Sequence, residues 1–148
     1  MAEVTETITK YTDTGVTDAP VVNRGGTVST SSTLGNGYAT GAGGAVTQIT
    51  SRATGVEVNT ICGQITTDTT SLAAEASAKF TVTNSVMEEG DIILLSFRDA
   101  VALNTDVVCT DQADGSFELT VINNNVAAGT AETGAIIINF AIYKAVAA

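Results

Sequence analysis

The sequence predicts an all-β protein, an antiparallel, jelly-roll-like β-sandwich of about eight strands with an extended N-terminal arm. Three observations support this prediction. Thr is the commonest residue and Val is plentiful, and β-branched side chains fit a pleated sheet. From residue 46 onward, turn residues interrupt the sequence at short intervals. Several of the intervening segments alternate apolar and polar residues, which is the pattern of a half-buried strand.

Composition divides the chain near residue 45. Residues 1–44 are rich in Thr, Ser, Gly and Asp and hold few large apolar side chains, so they cannot bury a core of their own. We expect an extended arm there, with a short strand at residues 3–11, and the sandwich at residues 45–148. A tail without fixed structure is the alternative. The arm residues that would contact a neighbouring subunit are Tyr11, Val21, Val22, Arg24 and Tyr38.

Eight segments after the arm have the length and composition of strands. They are residues 46–50, 54–59, 62–66, 78–84, 91–98, 105–110, 116–123 and 134–144. The first three are short and rich in β-branched residues. In the fourth, Phe80 and Val82 share one face and threonines occupy the other, and residues 116–123 alternate in the same way. We assign these apolar faces to the core.

Two of the predicted strands are apolar on both faces, at residues 92–95 and 135–138. In an antiparallel sandwich one face of each sheet normally meets water. Either a loop or a second subunit must therefore cover the outer face, and we favour a symmetric partner. The residues assigned to the core are Ile136, Ile138, Phe140 and Ile142. The candidate residues of the subunit interface are Ile93, Leu95, Ile137 and Tyr143.

Charge and composition disfavour several classes of function. Acidic residues number 16 against 6 basic ones, which gives a net charge of −10. Nucleic-acid binding depends on clustered Lys and Arg, and an acidic surface also disfavours anionic membranes, so we expect neither partner. The chain has no His, which removes the Ser-His-Asp triad and imidazole metal ligands. We expect no enzymatic activity and no cofactor.

The N-terminal residues lack the basic and apolar regions of a signal peptide, and no apolar run reaches the roughly 18 residues that span a bilayer. We therefore expect synthesis in a cytoplasm, where Cys62 and Cys109 would be reduced thiols that fill space within strands. A disulfide between the two is the alternative, and a metal site is disfavoured because two thiols cannot complete one.

Two acidic turns are the strongest candidates for an ion site. They contain Glu88, Glu89 and Asp91 in one turn and Asp111 and Asp114 in the other. Carboxylate oxygens suit Ca²⁺, but hairpin turns favour Asp and Gly in any case. We interpret both as ordinary turns, with ion binding as the alternative. A glycosidase with paired carboxylates is disfavoured, because such enzymes usually present aromatic residues to the sugar and the chain has no Trp.

One stretch of the chain resembles a known family. Residues 37–59 read GYATGAGGAVTQITSRATGVEVN, and residues 62–66 read CGQIT. A glycine-rich segment followed by V-T-Q-x-T-S-(K/R)-(S/A)-T-G-V and C-G-(Q/T)-I-T is similar to small virion proteins encoded by tailed phages and prophages. Residues 79–85 and 138–144 also resemble this family, so the likeness extends over residues 35–144.

The resemblance implies a virion structural protein made in the host cytoplasm. We expect a capsid decoration, or cement, protein on the exterior of the shell, where a homotrimer contacts the major capsid protein. The arm would bridge capsomers, with the capsid contacts at Tyr11, Val21, Val22, Arg24 and Tyr38. A net charge of −10 suits the exterior better than an interior packed with DNA. A tail or head-fibre component with a receptor-binding surface is the alternative. A cellular adhesin or surface-layer subunit is a third reading, which the missing signal peptide disfavours.

Overall fold

The structure, a computed structural model, describes residues 21–23, 26–28, 37–38, 41–99, 104–126 and 129–145. The chain forms two units, Met1–Ala39 and Thr40–Ala148. Within the first unit, β1 (Val21–Asn23) pairs antiparallel with β2 (Gly26–Val28). The hairpin lies within the region predicted as an extended arm, and the sequence analysis did not predict it. The predicted strand at residues 3–11 lies outside the described residues.

The second unit contains eight strands arranged in two four-stranded sheets. They are β3 (Gly43–Thr47), β4 (Val56–Glu57), β5 (Cys62–Thr66), β6 (Ser77–Thr83), β7 (Ile92–Asp99), β8 (Thr105–Ala113), β9 (Ser116–Asn123) and β10 (Ile137–Tyr143). The first sheet has the order β3-β5-β10-β7, and the second has the order β4-β6-β9-β8. The described residues contain no helix. The predicted all-β sandwich is confirmed.

The sheets are mixed, which refines the predicted antiparallel, jelly-roll-like arrangement. β3 runs parallel to β5 in the first sheet, and β4 runs parallel to β6 in the second. Every other pairing within the two sheets is antiparallel. Consecutive strands from β3 to β6 alternate between the sheets, so that each parallel pair is joined through a strand of the opposite sheet.

Alternation along the strands determines which side chains enter the core. Phe80 and Val82 of β6 are buried while Thr81 and Thr83 are exposed, as their spacing predicts. The same alternation in β9 and β10 buries every second residue. Strand side chains point to opposite faces with a period of two, so each strand contributes one apolar row to the interior. The buried apolar strand residues are Val56, Ile65, Phe80, Val82, Phe117, Leu119, Val121, Ile138, Phe140 and Ile142.

The two sheets meet through aromatic and aliphatic side chains at the centre of the sandwich. Phe117 of the second sheet and Phe140 of the first lie with ring centroids 5.8 Å apart and ring planes inclined at 51°. A tilted pair of this kind is a favourable aromatic arrangement. Leu72, Met87 and Ile136 from the connecting loops close the same core.

Two glycines allow β3 and β5 to approach the core closely. A Cβ on Gly63 would lie 2.9 Å from the ring of Phe140 and would overlap the carbonyl oxygen of Gly44. A Cβ on Gly44 would lie 2.8 Å from Thr60 Oγ1 and 2.9 Å from Val58 Cγ2. The glycine-rich segment before residue 45 therefore includes a close-packing position, and β3 begins at Gly43, within the region assigned to the arm.

Two strands differ in length from the prediction, because their backbone hydrogen bonds continue further or go to other partners. β8 is longer than predicted, and β4 is shorter. β8 continues to Ala113 past a bulge between Cys109 and Asp111, so only two residues remain for the turn into β9. Gly115 adopts a positive φ of 80° in that turn, a conformation that favours glycine. β4 contains two residues, because the preceding segment bonds to side chains and loops instead of a neighbouring strand.

Substituting Gly63 tests the close approach of β5 to the core. We expect Gly63→Ala to lower the free energy of unfolding by about 1–3 kcal/mol, since the new methyl group overpacks the interior. Gly43→Ala is the matched control, because its Cβ would lie 3.6 Å from Cys62 Sγ and from the Cys62 carbonyl oxygen, which is ordinary contact. Its effect should stay below about 1 kcal/mol. Urea unfolding measures both, and equal effects would contradict this account.

Candidate functional site

The outer face of the first sheet is nearly free of charge. Residues that alternate with the buried ones point outward along all four strands. They are Gly43, Ala45 and Thr47 of β3; Cys62, Gln64 and Thr66 of β5; Ile137, Asn139, Ala141 and Tyr143 of β10; and Ile92, Leu94, Ser96 and Arg98 of β7. Arg98 carries the single charge in this set, and it donates a hydrogen bond to Gln64. Asp99 follows it at the end of β7.

Apolar side chains concentrate at one corner of this outer face. Leu94 pairs in register with Ala141, and Ala141 pairs with Cys62, so the three form a row across the sheet. Ile92 and Tyr143 form the next row. The exposed fractions of Ile92, Leu94 and Tyr143 are 55%, 51% and 55%. We call these five residues the apolar corner.

The structure corrects two candidate interface residues. Ile93 and Leu95 are half-buried and pack against the core, so they do not lie on the outer face. The outward residues of β7 are Ile92 and Leu94, which occupy the alternate positions. Ile137 and Tyr143 do point outward. A subunit contact at this face stays a prediction, and its β7 residues would be Ile92 and Leu94.

The two cysteines occupy different environments. Both are free thiols, and they belong to different sheets. Cys109 packs against the core, as predicted for a space-filling thiol. Cys62 points outward within the apolar corner. Burial raises the pKa of the Cys62 thiol.

The outer face of the second sheet is polar and acidic. Its outward side chains include Thr and Ser hydroxyls, four carboxylates and one ammonium group, together with the apolar Val108 and Ile122. The charged ones are Glu57, Asp106, Asp111, Glu118 and Lys79. Lys79 Nζ lies 2.7 Å from Glu118, and the hydroxyls of Thr110 and Thr120 lie 3.1 Å apart. This composition is typical of a face in contact with water.

Buried polar groups close one end of the sandwich around Arg52. Its guanidinium donates to Thr67 Oγ1 at 2.9 Å, to the Gly134 carbonyl at 2.6 Å and to the Thr70 carbonyl. Gln48 donates to the carbonyls of Arg52 and Thr54, at 3.1 and 2.7 Å. These bonds join the β3–β4 segment to the β5–β6 and β9–β10 loops. Arg52 and Gln48 both lie between β3 and β4, and their side chains hold these loops together.

Arg52 shares this end of the sandwich with buried Glu132. Burial lowers the pKa of Arg52, and the carboxylates of Glu132 and Asp68 act in the opposite direction. Glu132 accepts a hydrogen bond from Thr105 Oγ1, and its backbone pairs with that of Leu72. Opposite charges in a poorly solvated region offset part of the cost of burying each other. Arg52 and Glu132 therefore hold loops together at this end of the sandwich. The sequence analysis named neither residue as a candidate site residue.

The acidic turns use their carboxylates to bind backbone N–H groups. Asp91 is buried and accepts hydrogen bonds from Lys144 Nζ at 2.8 Å and from the N–H groups of Glu88 and Ala145. Burial acts to raise the pKa of Asp91, but these hydrogen bonds and the Lys144 charge outweigh it, so its pKa lies below the usual value. Asp114 accepts from the N–H of Glu89 at 2.8 Å. Among the described residues, no group of three or more Cys, Asp or Glu could hold a metal ion.

The candidate contact residues of the arm are only partly described. Val21 and Val22 lie in β1, and Tyr38 is half-buried. Tyr11 and Arg24 lie outside the described residues. A contact between any of the five and a partner stays a prediction.

Comparison with known proteins identifies no relative. No protein-family model, no curated protein and no solved structure matches the chain. Within the described part of the chain, no helix is long and apolar enough to cross a membrane. The described second unit is a mixed-sheet β-sandwich in which the outer face of the first sheet carries an apolar corner and little charge.

Replacing Arg52 tests whether its bonds hold the loops. We expect Arg52→Lys to lower the free energy of unfolding by about 2–3 kcal/mol, because an ammonium group cannot reproduce the divergent bonds of a buried guanidinium. Arg98→Lys is the control, since Arg98 is exposed, and its effect should stay within about 0.5 kcal/mol. Chemical denaturation of both variants measures the difference, and similar losses would show that the Arg52 bonds add little.

The Asp91 carboxylate makes stability depend on pH. Its native pKa lies below that of the unfolded chain, about 3.9, so its contribution is complete above that value and is lost as the pH falls through the native pKa. We expect Asp91→Asn to be less stable than the parent at pH 7 and the difference to shrink in acid. Glu89→Gln is the control, because Glu89 is exposed. A difference that stays constant from pH 7 to pH 2 would refute this role.

Proposed function

We propose that this chain is a structural protein of a phage virion, which decorates the exterior of the capsid and stabilises the seams between capsomers. The observation that carries the proposal is the contrast between the two outer faces of the sandwich. The first sheet presents an apolar corner suited to contact with protein, and the second presents threonines and carboxylates suited to water. A protein with one face of each kind can cover a surface while remaining soluble.

The sequence resemblance supports the same class. Its motif residues Gln48 and Arg52 fasten loops, and Gly44 and Gly63 permit close packing. The likeness therefore rests on residues that build a sandwich, which is what a family of structural proteins would share. It does not depend on a cleft or on reactive side chains.

In the proposed mechanism, the protein acts by spreading contacts across capsomer boundaries. A homotrimer would sit at three-fold or quasi-three-fold positions, and the N-terminal unit would contact the major capsid protein. Ordering an arm on binding costs conformational entropy, so its contribution per unit area is low and many copies are needed. A net charge of −10 is compatible with an exterior site, away from packaged DNA.

A tail or head-fibre component with a receptor-binding surface is the second candidate. One observation favours it, an exposed group of amides at the end of the sandwich where β8 begins. Asn104 Nδ2 lies 3.2 Å from Asn125 Oδ1, and Asn124 Nδ2 lies 2.7 Å from Asp106. Amides and carboxylates are groups that hydrogen-bond sugars.

Copy number in purified particles separates the two candidates. We expect about one copy of this chain per copy of the major capsid protein, because a decoration protein occupies every equivalent position of a symmetric shell. Quantitative mass spectrometry or gel densitometry measures the ratio. A handful of copies per particle would move the protein to the tail, and absence from particles would overturn the virion assignment.

Truncation of the N-terminal unit is the second part of that experiment. Deletion of residues 2–34 should weaken binding to capsids that lack the protein, while the sandwich keeps its far-UV spectrum and its unfolding transition. The second unit has its own core and all eight strands of the two sheets. Unchanged occupancy by the truncated chain would remove the arm from the mechanism.

A further inference from the structure

We propose that the free edge of β7 binds an extended, basic segment of another protein, which pairs antiparallel with residues 92–97 and adds a strand to the first sheet. The backbone of β7 and the charge of the chain carry this inference. Only the source of the segment, the major capsid protein, rests on the proposed function.

The backbone groups on one side of β7 have no partner in the described part of the chain. β7 is the last strand of its sheet, with β10 on one side only. The N–H of Ile142 in β10 donates toward the segment before β5, so by alternation Ala141 bonds to Leu94 on the side of β7. The N–H and carbonyl groups of Ile93 and Leu95 therefore point to the free edge. A row of such groups is the template to which an extended segment adds.

Among the edge strands that the structure describes in the two sheets, β7 lacks the features that prevent pairing. Proteins protect sheet edges with short strands, charges and bulges. The edge strands β3 and β4 have five and two residues, and β8 carries Asp106 and Asp111 beside a bulge. β7 has eight residues, and residues 92–97 include neither a charge nor a proline. The bulge in the pairing of β7 with β10 falls after Phe97, so residues 92–97 form an uninterrupted edge.

The interior of the sandwich is incompletely covered beside this edge. β7 and β8 lie against each other on the same side of the sandwich. The inward apolar residues Ile93, Leu95 and Val107 of these strands are half-buried, whereas the inward residues of β9 and β10 are buried. A strand added to β7 points every second side chain toward this gap. Apolar residues at those positions gain burial.

The charge of the chain selects a basic partner. Acidic residues number 16 against 6 basic ones, so the chain attracts a basic segment and repels a second copy of itself. β8, the strand nearest to β7 in the other sheet, carries Asp106 and Asp111 and no basic residue. The backbone, the gap and the charge are satisfied together by a segment in which apolar residues alternate with Lys or Arg.

The probe is a synthetic peptide as long as β7, eight residues, in which valine and lysine alternate. In an antiparallel pair the valines lie opposite Ile93 and Leu95. Their N–H groups then point to β7, while the lysine N–H groups point to water. Methylation of the valine backbone nitrogens removes the donors that β7 needs. Methylation of the lysine backbone nitrogens is the matched control, because it adds the same groups and leaves those donors in place.

NMR titration of the isotope-labelled full chain gives the dissociation constant and the site. We expect the unmethylated and the lysine-methylated peptides to slow hydrogen exchange at Ile93 and Leu95 and to leave exchange at Val107 unchanged. The valine-methylated peptide should bind at least about tenfold more weakly. A peptide with glutamate in place of lysine should also bind more weakly, by a factor that salt reduces, because salt screens the charge of the chain.

The variants Ile93→Lys and Val107→Lys test the choice of edge. Both replace a half-buried inward residue of an edge strand, and both add one positive charge. An inward lysine at a sheet edge opposes the addition of a strand. We expect Ile93→Lys to weaken binding at least about tenfold and Val107→Lys to leave it within about threefold. Far-UV spectra establish folding, and if Ile93→Lys is unfolded, the methylated peptides decide the question on the parent chain.

Absence of binding by the unmethylated peptide would overturn the proposal, and so would equal binding by the two methylated peptides. Copy number in particles separates this inference from the proposed function. If the peptides bind as expected and the chain is absent from particles, the β7 edge binds a strand and the virion role fails. If the chain is present at the expected copy number and no peptide binds β7, the virion role stands and this inference fails.

Discussion

Burial of the two inner sheet faces against each other is the constraint on which the other features of the sandwich depend. Phe117 and Phe140 meet at its centre, and aliphatic side chains from both sheets surround them. Close contact requires glycine at positions 44 and 63, where a side chain would collide with Phe140 or with the segment before β5. Core packing at this density tolerates little added volume, so the glycines are as necessary to it as the aromatic rings.

The ends of the sandwich are closed by polar side chains that bind backbone groups. Arg52 holds three loops at one end, and Asp91 holds the C-terminal residues and the β6–β7 turn at the other. Hydrogen bonds to charged side chains are stronger than those between neutral groups, and they compensate the buried loop carbonyls and N–H groups for the loss of water. In the acidic turns, which resemble ion sites in sequence, Asp91 and Asp114 accept hydrogen bonds from backbone N–H groups.

The two outer faces of the sandwich differ in the contacts that they can make. The second sheet presents hydroxyls and charges that water solvates well, with Val108 and Ile122 among them. The first sheet presents Ile92, Leu94 and Tyr143. Burial of this patch by a partner would contribute roughly 25 cal/mol of favourable free energy for each Å² covered. The proposed virion role draws on this difference.

The sequence by itself determined the fold class, the positions of most strands and the inward residues of β6, β9 and β10, because those strands alternate and alternation is local. It did not determine the inward face of β7, where residues 92–95 are apolar on both sides. That choice depends on the register with β10, which includes a bulge between Ile137 and Ile138. The parallel pairs and the Arg52 bonds were likewise decided by tertiary structure. Arg52 and Gly134 are 82 residues apart, and contacts at such separations form only when the whole chain packs, so no local pattern records them.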